Sequence, residues 1–391
     1  MGPLGKETVF VLNDARVVLA DRTTQPTSLL IEAGRIARVL ASHEIISDVK
    51  AIDLSGLTLF PGFIDVHCHG AIGIDVMNAE ADSLVKLSEF LAGQGVTGWL
   101  PTLVPASARE YEHAVKAIQA AMRETSTHSK TARARILGVH YEGPFVNSEQ
   151  CGALHREHFR QFKSPADVDS LPVITNAGAV HMMTVAPEIE GGIELIRELR
   201  QRGWIVSIGH TRASPEVLDQ ARDAGAQHMT HFMNAMSPLH HRAPGPIGWG
   251  LLNDNVSVDL IADGVHIDPM MLKVLLRCVT PARLALISDA IAATGLGDGD
   301  YEIWGETISV KDGRTRNTHG SIAGSVITMR DAARMMLSLG ASESEVARMA
   351  SMNPARLLGI DKDRGSIETG KRADLVVLDS DGTVRFSFVS G

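Results

Sequence analysis

Several features that would define a class of protein are scarce in this 391-residue chain. It has three cysteines, Cys68, Cys151 and Cys278. They are too few for a disulfide framework in a chain of this length, which favours a reducing compartment. No apolar run approaches the roughly 20 residues that a membrane helix needs, and residues 1–10 lack the basic stretch and apolar core of a secretory signal. We therefore expect a cytoplasmic protein with no membrane partner.

An excess of positive charge is also missing, because the formal net charge is −9. A protein that binds nucleic acid regardless of sequence needs a basic face to neutralise phosphates, so we expect no nucleic-acid partner. With 44% hydrophobic and 21% charged residues, the chain has the composition of a globular protein with one large core or two smaller ones. An anionic ligand would have to be held by a local pocket.

Short alternating apolar segments occupy the first 60 residues and return at the C-terminus. Residues 9–12, 17–19 and 28–31 have this pattern, and residues 373–379 repeat it before Asp381-Gly382, a typical hairpin turn. Such segments are typical of small antiparallel sheets. Neither set could form a core alone, so we expect both termini, residues 1–61 and 362–391, to build one small β-sandwich domain.

The middle of the chain alternates apolar strand candidates with helical segments. The predicted strands are Gly62–His69, Val96–Val104, Ile136–Glu142, Val180–Ala186, Trp204–His210, Gln227–His231, Val256–Ala262 and Leu284–Asp289. The predicted helices are Ala81–Leu91, Ala108–Met122, Ile189–Arg202, Pro215–Asp223, Pro269–Arg277 and Met329–Ser338. This alternation predicts an α/β fold in which residues 62–361 form a (β/α)8 TIM-like barrel.

Polar side chains stand at the C-terminal ends of these strands. They are His67 and His69 on the first, Glu142 on the third, His210 on the fifth, His231 on the sixth and Asp289 on the eighth. In a parallel barrel all of these ends open on one face. A single strand-end histidine is more often a packed polar residue than a ligand, but six such groups would rarely coincide by chance.

The residue types in this set suit a metal site. His67 and His69 are two residues apart, so on a strand both can reach one point while Cys68 faces away. Imidazole and carboxylate ligands favour zinc and also accept iron, manganese or cobalt. We expect one or two divalent ions, Zn²⁺ first, with Fe²⁺, Mn²⁺ or Co²⁺ as alternatives. Asp289 would act as general base on a water activated by the metal, and then donate the proton to a leaving amine.

The longer motifs resemble a known family over nearly the whole chain. They are His67-Cys68-His69, Tyr141-Glu142-Gly143-Pro144-Phe145, Ile208-Gly209-His210-Thr211, Thr230-His231-Phe232-Met233-Asn234-Ala235-Met236, Ile261-Ala262-Asp263-Gly264-Val265-His266, Ile287-Ser288-Asp289-Ala290, Asn353-Pro354-Ala355 and Gly365-Ser366-Ile367. This combination resembles the amidohydrolase superfamily and, more narrowly, the N-acetylglucosamine-6-phosphate deacetylases. The resemblance implies hydrolysis of the N-acetyl group of N-acetyl-D-glucosamine 6-phosphate.

The resemblance also implies a role for individual residues. Glu142, His210 and His231 match the residues that hold the principal metal, and Asp289 matches the catalytic base. Because this chain keeps His67 and His69, a second metal bridged through Glu142 is an option. His155 matches a histidine that polarises the acetyl carbonyl.

Further positions match the family's contacts with its amino-sugar phosphate substrate. Asn234 and the backbone at Ala235 match positions that receive the phosphate, and His266 lies at a substrate-contacting position. Arg242 matches an arginine that reaches the phosphate in the neighbouring subunit, so the resemblance implies a homodimer. A planar guanidinium suits phosphate.

Other functions stay open at this point. Sugar stereochemistry cannot be read from sequence, so N-acetylgalactosamine 6-phosphate is an alternative substrate. A non-phosphorylated amide and a non-catalytic scaffold of the same fold are further alternatives, opposed by the phosphate residues and by the intact ligand set. Relatives such as dihydroorotases need a bridging lysine on a middle strand, and no predicted strand end carries one.

The remaining polar features have ordinary explanations. We expect His228 to pack on the opposite side of its strand from His231, and Cys151 to be a loop thiol. The roles of His240 and His241 stay undecided. Residues 365–371 imitate a phosphate loop, but Arg372 replaces the required serine or threonine. Residues 295–299 are predicted to be a flexible turn.

Overall fold

The computed structural model describes residues 9–389 except 42, 43, 45, 47 and 128–130. The first eight residues, for which no secretory signal was predicted, lie outside the described part. The strands in chain order are β1 (Val9–Val17), β2 (Thr27–Glu32), β3 (Arg35–Val39), β4 (Lys50–Asp53), β5 (Thr58–Pro61), β6 (Phe63–Cys68), β7 (Gly70–Ala71), β8 (Ile74–Asp75), β9 (Val96–Leu103), β10 (Arg135–Ile136), β11 (Gly138–Glu142), β12 (Val180–Val185), β13 (Ile205–Ile208), β14 (His228–Met229), β15 (Ser257–Ile261), β16 (Leu284–Ile287), β17 (Gly299–Ile303), β18 (Glu306–Lys311), β19 (Arg314–Arg316), β20 (Leu375–Leu378) and β21 (Val384–Phe388).

The helices lie mainly between the strands of the middle region. They are α1 (Ala81–Gly93), α2 (Ala108–Thr125), α3 (Pro165–Asp169), α4 (Gly192–Gln201), α5 (Pro215–Asp223), α6 (Gly245–Leu252), α7 (Pro269–Cys278), α8 (Met329–Ser338), α9 (Glu343–Ala347) and α10 (Asn353–Leu357). Short 3-10 turns cover Ser148–Gln150 and Arg156–His158, and a π-helical turn covers Arg348–Met352. In the part of the chain that the structure describes, no helix is long and apolar enough to cross a membrane.

Eight parallel strands form the predicted barrel, in the order β6, β9, β11, β12, β13, β14, β15 and β16. A parallel bridge between Cys68 and Ala290 brings the first and last strands together, and the Asp289 amide donates to the His67 carbonyl over 2.9 Å. Every residue of β9, β11 and β16 is buried, as expected for strands covered on both faces. The predicted fold class is confirmed.

The N-terminal end of the barrel is closed by α10. The Asn353 side-chain amide donates to the carbonyls of Pro281 and Leu284, over 2.7 Å and 2.6 Å, just before and at the start of β16. Ala355 and Leu357 of the same helix pack in a cluster with strand residues such as Ile287. Because this end is plugged with apolar side chains, the opposite, C-terminal end is the open one.

The terminal strands form one seven-stranded sheet, as predicted from both chain ends, with the order β21-β20-β5-β1-β2-β3 and β4 beside β1. A shared apolar core joins its two halves, for example Leu29 of β2 and Leu375 of β20. The alternating segments are typical of antiparallel sheets, whereas this sheet is mixed, because β1 pairs in parallel with β4 and β5. The chain reverses direction from β1 to β2 and again from β2 to β3, so β3 runs in the direction of β1, and β4 has this direction too. The boundaries proposed after residues 61 and 361 fall between β5 and β6 and beyond α10, and as a domain division they stay predictions.

The predicted elements correspond to observed ones throughout the barrel, whereas the short helices α3, α9 and α10 and two larger features were missed. One is α6, whose sequence contains three glycines and one proline, residues with poor helix propensity. The other is the antiparallel sheet β17-β18-β19 after the last barrel strand. The predicted turn at residues 295–299 leads into it, and Gly295 and Gly297 have φ of 84° and 90°.

Candidate active site

The six predicted strand-end residues meet at the open end of the barrel. Two groups share Glu142: one is His67, His69 and Glu142, the other Glu142, His210 and His231, and all five side chains are buried. Within each group the ligand atoms lie within 4.8 Å of one another. The Nε2 atoms of His210 and His231 lie 3.0 Å and 2.9 Å from Glu142 Oε1, whereas His69 Nε2 lies 3.4 Å from Oε2. Glu142 therefore lies between the two groups, with Oε2 towards His69 and with Oε1 towards His210 and His231 and 3.6 Å from His67 Nε2.

Three of the four imidazoles are oriented by a backbone carbonyl at their other ring nitrogen. His210 Nδ1 donates to the Gln150 carbonyl over 2.8 Å, and His231 Nδ1 donates to the Asn234 carbonyl over 3.2 Å. Since a carbonyl only accepts, Nδ1 carries a proton, so that Nε2 of the neutral imidazole presents a lone pair. His69 Nδ1 donates in the same way to the Thr102 carbonyl over 3.2 Å.

The facing Nε2 atoms show that the site fits a cation. They are 3.1 Å apart in the His67–His69 pair and again in the His210–His231 pair. Lone pairs at such a distance require a positive charge between them, supplied by a proton or a metal. The donor set of imidazoles and one carboxylate is that of zinc and similar divalent ions.

The electrostatics of the buried groups also favour a cation at this site. Burial alone would lower the pKa of His69, but hydrogen bonds to Asp289 and Glu142 raise it to about 10. Burial also opposes the charge on His231, whose pKa is raised to about 9 by Glu142. The two carboxylates therefore favour positive charge at both groups of ligands.

Asp289 lies beside the second group of ligands. Its Oδ1 is 3.3 Å from His69 Nε2 and 3.5 Å from His67 Nε2. Burial tends to raise the pKa of Asp289, but the neighbouring His67 and His69 overcome this and lower it. The carboxylate is therefore ionised at neutral pH and able to accept a proton, as a general base must.

A buried network behind the ligands connects the two groups. Asp259 accepts hydrogen bonds from the His231 backbone amide and, over 2.8 Å, from His228 Nε2. The Thr230 hydroxyl lies 3.5 Å from the same carboxylate and 3.0 Å from His67 Nδ1. His228, Thr230 and Asp259 are fully buried. The prediction that His228 packs away from the ligands is consistent with this position. Asp259 was missed because it lies in none of the recognised motifs, and Thr230, although it begins the motif that runs to Met236, was given no role of its own.

Several site residues have a left-handed backbone, which only glycine adopts freely. The φ angles are 48° at His210, 30° at His231, 50° at Ala235 and 49° at Asp289. Such conformations cost free energy and concentrate at functional sites. Here they occur where each strand turns into its loop.

The ligands open into a pocket of about 140 Å³, and three of the predicted substrate-binding residues, Asn234, Ala235 and His266, line it. The Asn234 side-chain nitrogen is buried and has no hydrogen-bond partner among the described residues. His266 Nδ1 donates to Asp263 over 2.7 Å, and its Nε2, which has no hydrogen-bond partner in the described part of the chain, is able to accept. These groups present unused polar atoms to a ligand.

His155 and Arg242 do not line this pocket. Leu154 does, while His155 lines a neighbouring cavity, and its Nε2 lies 3.7 Å from Glu306 Oε1. The role of His155 at an acetyl carbonyl stays a prediction. The Arg242 guanidinium is exposed and contacts His241 Nε2 over 2.9 Å, in the same loop as His240.

Two further residues of the surrounding loops are Cys151, expected to be a loop thiol, and Trp304, to which no role was assigned from the sequence. Cys151 is partly exposed, and its sulfur accepts a hydrogen bond from Arg156 over 3.2 Å, as a loop thiol can. Trp304 lines the metal-ligand pocket and packs edge-on against His69, with ring centroids 5.2 Å apart. It lies in the unpredicted β17–β18 hairpin, so sequence reasoning could not associate it with the site.

A parallel barrel with histidines and carboxylates at its C-terminal strand ends defines a class of metal-binding barrel enzymes. The amidohydrolase family matches residues 58–391 of this chain. The N-acetylglucosamine-6-phosphate deacetylase of Bacillus subtilis is 38% identical over 98% of this chain and 96% of its own length. The N-acetylgalactosamine-6-phosphate deacetylase of Escherichia coli is 37% identical over 90% and 92%.

A solved structure has the same overall architecture. It is that of a variant of the N-acetyl-D-glucosamine-6-phosphate deacetylase of Mycobacterium smegmatis in complex with N-acetyl-D-glucosamine-6-phosphate. It is 31% identical, covers 98% of both chains and has a TM-score of 0.87. This chain belongs to the amidohydrolase family, and its relatives lie in the deacetylase branch.

Proposed function

We propose that the protein hydrolyses N-acetyl-D-glucosamine 6-phosphate to D-glucosamine 6-phosphate and acetate. The observation that carries the proposal is the position of Asp289, an ionised carboxylate within 3.5 Å of the His67 and His69 imidazoles, in a pocket that Asn234 also lines. The branch to which the relatives belong supports the choice of substrate.

Glu142, His210 and His231 would hold one divalent ion, Zn²⁺ first among the candidates, and His67 and His69 would hold a second with Glu142. Such an ion, when bound, polarises the amide carbonyl and makes water more acidic. Asp289 accepts the proton of the attacking water and delivers it to the amide nitrogen as the C–N bond breaks, so acid and base roles fall on one group.

The substrate would extend away from this centre along the polar wall of the pocket. The unpaired Asn234 side-chain amide and the backbone at Ala235 would donate to the phosphate, and His266 Nε2 would accept from a sugar hydroxyl. His155 is proposed for the carbonyl only if its loop changes conformation on binding, because it lines a separate cavity.

We propose a homodimer in which Arg242 reaches the phosphate bound by the neighbouring subunit. The exposure of Arg242 and its position outside the pocket of its own chain favour a contact with another chain. Two leucines on either side of Arg242 in the sequence, Leu239 and Leu252, are exposed by 49% and 85%. Both border an apolar cavity. A cytoplasmic location, favoured by three free cysteines, completes the proposal.

N-Acetylgalactosamine 6-phosphate is the second candidate substrate, favoured by the relative of Escherichia coli. The deciding experiment measures kcat/KM for both phosphorylated epimers and for free N-acetylglucosamine, together with metal content by mass spectrometry. We expect the gluco epimer to be preferred and the free sugar to be poor. A preference for the galacto epimer would select the second candidate, and no hydrolysis of either by metal-loaded protein would overturn both.

A further inference from the structure

A second cavity lies beside the metal-ligand pocket, and a thin wall divides them. It measures about 170 Å³, against about 140 Å³ for the pocket. Ala153, Leu154 and Trp304 line both, so these side chains form the dividing wall. On the far side, the cavity is lined by the apolar side chains of Met77, Val104 and Ala106 and by the polar side chains of Asn78, Glu110, His155 and His158. Its apolar part, next to a reacting centre, is suited to an aliphatic group.

The geometry of the site decides which part of a substrate faces this wall. The groups proposed for the phosphate, Asn234 and Ala235, follow His231 by three and four residues along the chain. Glu142 separates that side from His69, because Oε1 faces His210 and His231 while Oε2 faces His69. Trp304 lies against His69. In an N-acylated amino sugar, the acyl carbon has the sugar nitrogen on one side and the acyl chain on the other. With the sugar towards Asn234, the acyl chain extends towards Trp304.

Trp304 is held in an unusual backbone conformation. It occupies the two-residue turn of the β17–β18 hairpin, in which Ile303 pairs with Glu306. The φ angles of Trp304 and Gly305 are 54° and 78°, as in a turn that favours asparagine or glycine at the first position. A bulky residue at positive φ is a genuine outlier, and such strain persists where a side chain has a function.

We propose that Trp304, supported by Leu154, is a specificity-determining residue that closes the acyl end of the pocket, and that the cavity behind it can accept a longer unbranched acyl chain once the wall is removed. This inference rests on the proposed deacetylase function. The wall would restrict the enzyme to the acetyl group, although the cavity behind the wall has room for a longer acyl chain.

The test compares N-acetyl- and N-butanoyl-glucosamine 6-phosphate as substrates of the full-length, metal-loaded protein. The measured quantity is the ratio of kcat/KM for butanoyl over acetyl. In Trp304→Ala this ratio should rise by roughly tenfold or more, the scale on which a hydrophobic pocket discriminates small changes in chain length. Adding Ala106→Leu should reverse the rise, because Ala106 lines only the far cavity.

A matched control is Ile322→Ala, which removes an apolar side chain from the pocket but not from the wall; its ratio should not change. If Trp304→Ala fails to fold, Leu154→Ala opens the same wall and takes its place. An unchanged ratio in the wall variants, or an equal rise in Ile322→Ala, would overturn the inference. Because the acetyl substrate is measured with the unaltered protein, failure of the proposed function would show separately, as no hydrolysis at all.

Discussion

At the scale of single residues, the chemistry depends on Asp289. Asparagine in its place keeps the shape but cannot accept a proton, so we predict a loss of roughly 10²–10⁴ in kcat for Asp289→Asn. Metal content, measured by mass spectrometry, should fall little, because Glu142 and the histidines remain. Near-normal turnover would remove Asp289 from the mechanism, and a change in KM alone would indicate a binding role.

Asp259 acts behind the ligands, since it holds the His231 backbone and, through Thr230, the His67 ring. Loss of such a supporting partner typically lowers metal affinity 10- to 100-fold. We therefore predict that Asp259→Asn weakens metal binding in a competition titration with a chelator. Asp254→Asn, at an exposed carboxylate, is the matched control and should retain the affinity of the unaltered protein. Equal affinities in all three proteins would contradict the role of Asp259.

The raised histidine pKa values predict how metal binding depends on pH. In metal-free protein, the pKa of His69 is about 10 and that of His231 about 9, so both are protonated at pH 7. A divalent ion binds neutral imidazole and must displace these protons. Adding Zn²⁺ at pH 7 should therefore release protons, detectable with an indicator dye, and affinity should weaken as the pH falls. His69→Ala should release fewer protons, whereas release that is absent in the unaltered protein would contradict the prediction.

At the scale of elements, α10 shows how a short helix stabilises the barrel. The Asn353 side chain satisfies two backbone carbonyls at β16. Leaving buried acceptors unpaired costs about 1–3 kcal/mol, so Asn353→Ala should lower the free energy of unfolding by that amount in urea titrations. Arg356→Ala, at an exposed position on the same helix, should change it little. A similar loss in both variants would indicate a general effect on the helix.

The sequence predicted those elements that are encoded by a local pattern of apolar and polar residues. The barrel strands are continuous apolar runs, and the polar residues that end them converge because the topology is parallel, so Glu142, His210, His231 and Asp289 could be grouped in advance. Trp304 could not, since its hairpin follows the last barrel strand and returns to the site through tertiary packing alone. The loop after β11 posed a similar problem, because only the folded chain shows that Leu154, rather than His155, lines the pocket.

At the scale of the whole molecule, each active site of the proposed dimer contains residues of both chains. Arg242→Ala should lose a charge-assisted hydrogen bond worth on the order of 1.5–3 kcal/mol, or roughly ten- to hundredfold in kcat/KM for the phosphorylated substrate. Free N-acetylglucosamine should be affected little. Arg277→Ala, at another exposed arginine, is the matched control and should retain full activity on both.

Mixing subunits tests whether Arg242 acts across the interface. A heterodimer of Asp289→Asn and Arg242→Ala chains would contain one site with both residues intact, because Asp289 of one chain would meet Arg242 of the other. Its activity should exceed that of either parent, with heterodimer formation verified by differential tagging. No recovery in verified heterodimers would assign Arg242 to the site of its own chain or to no site. An equal loss on phosphorylated and free sugar would instead indicate a structural role, because only a phosphate contact distinguishes the two substrates.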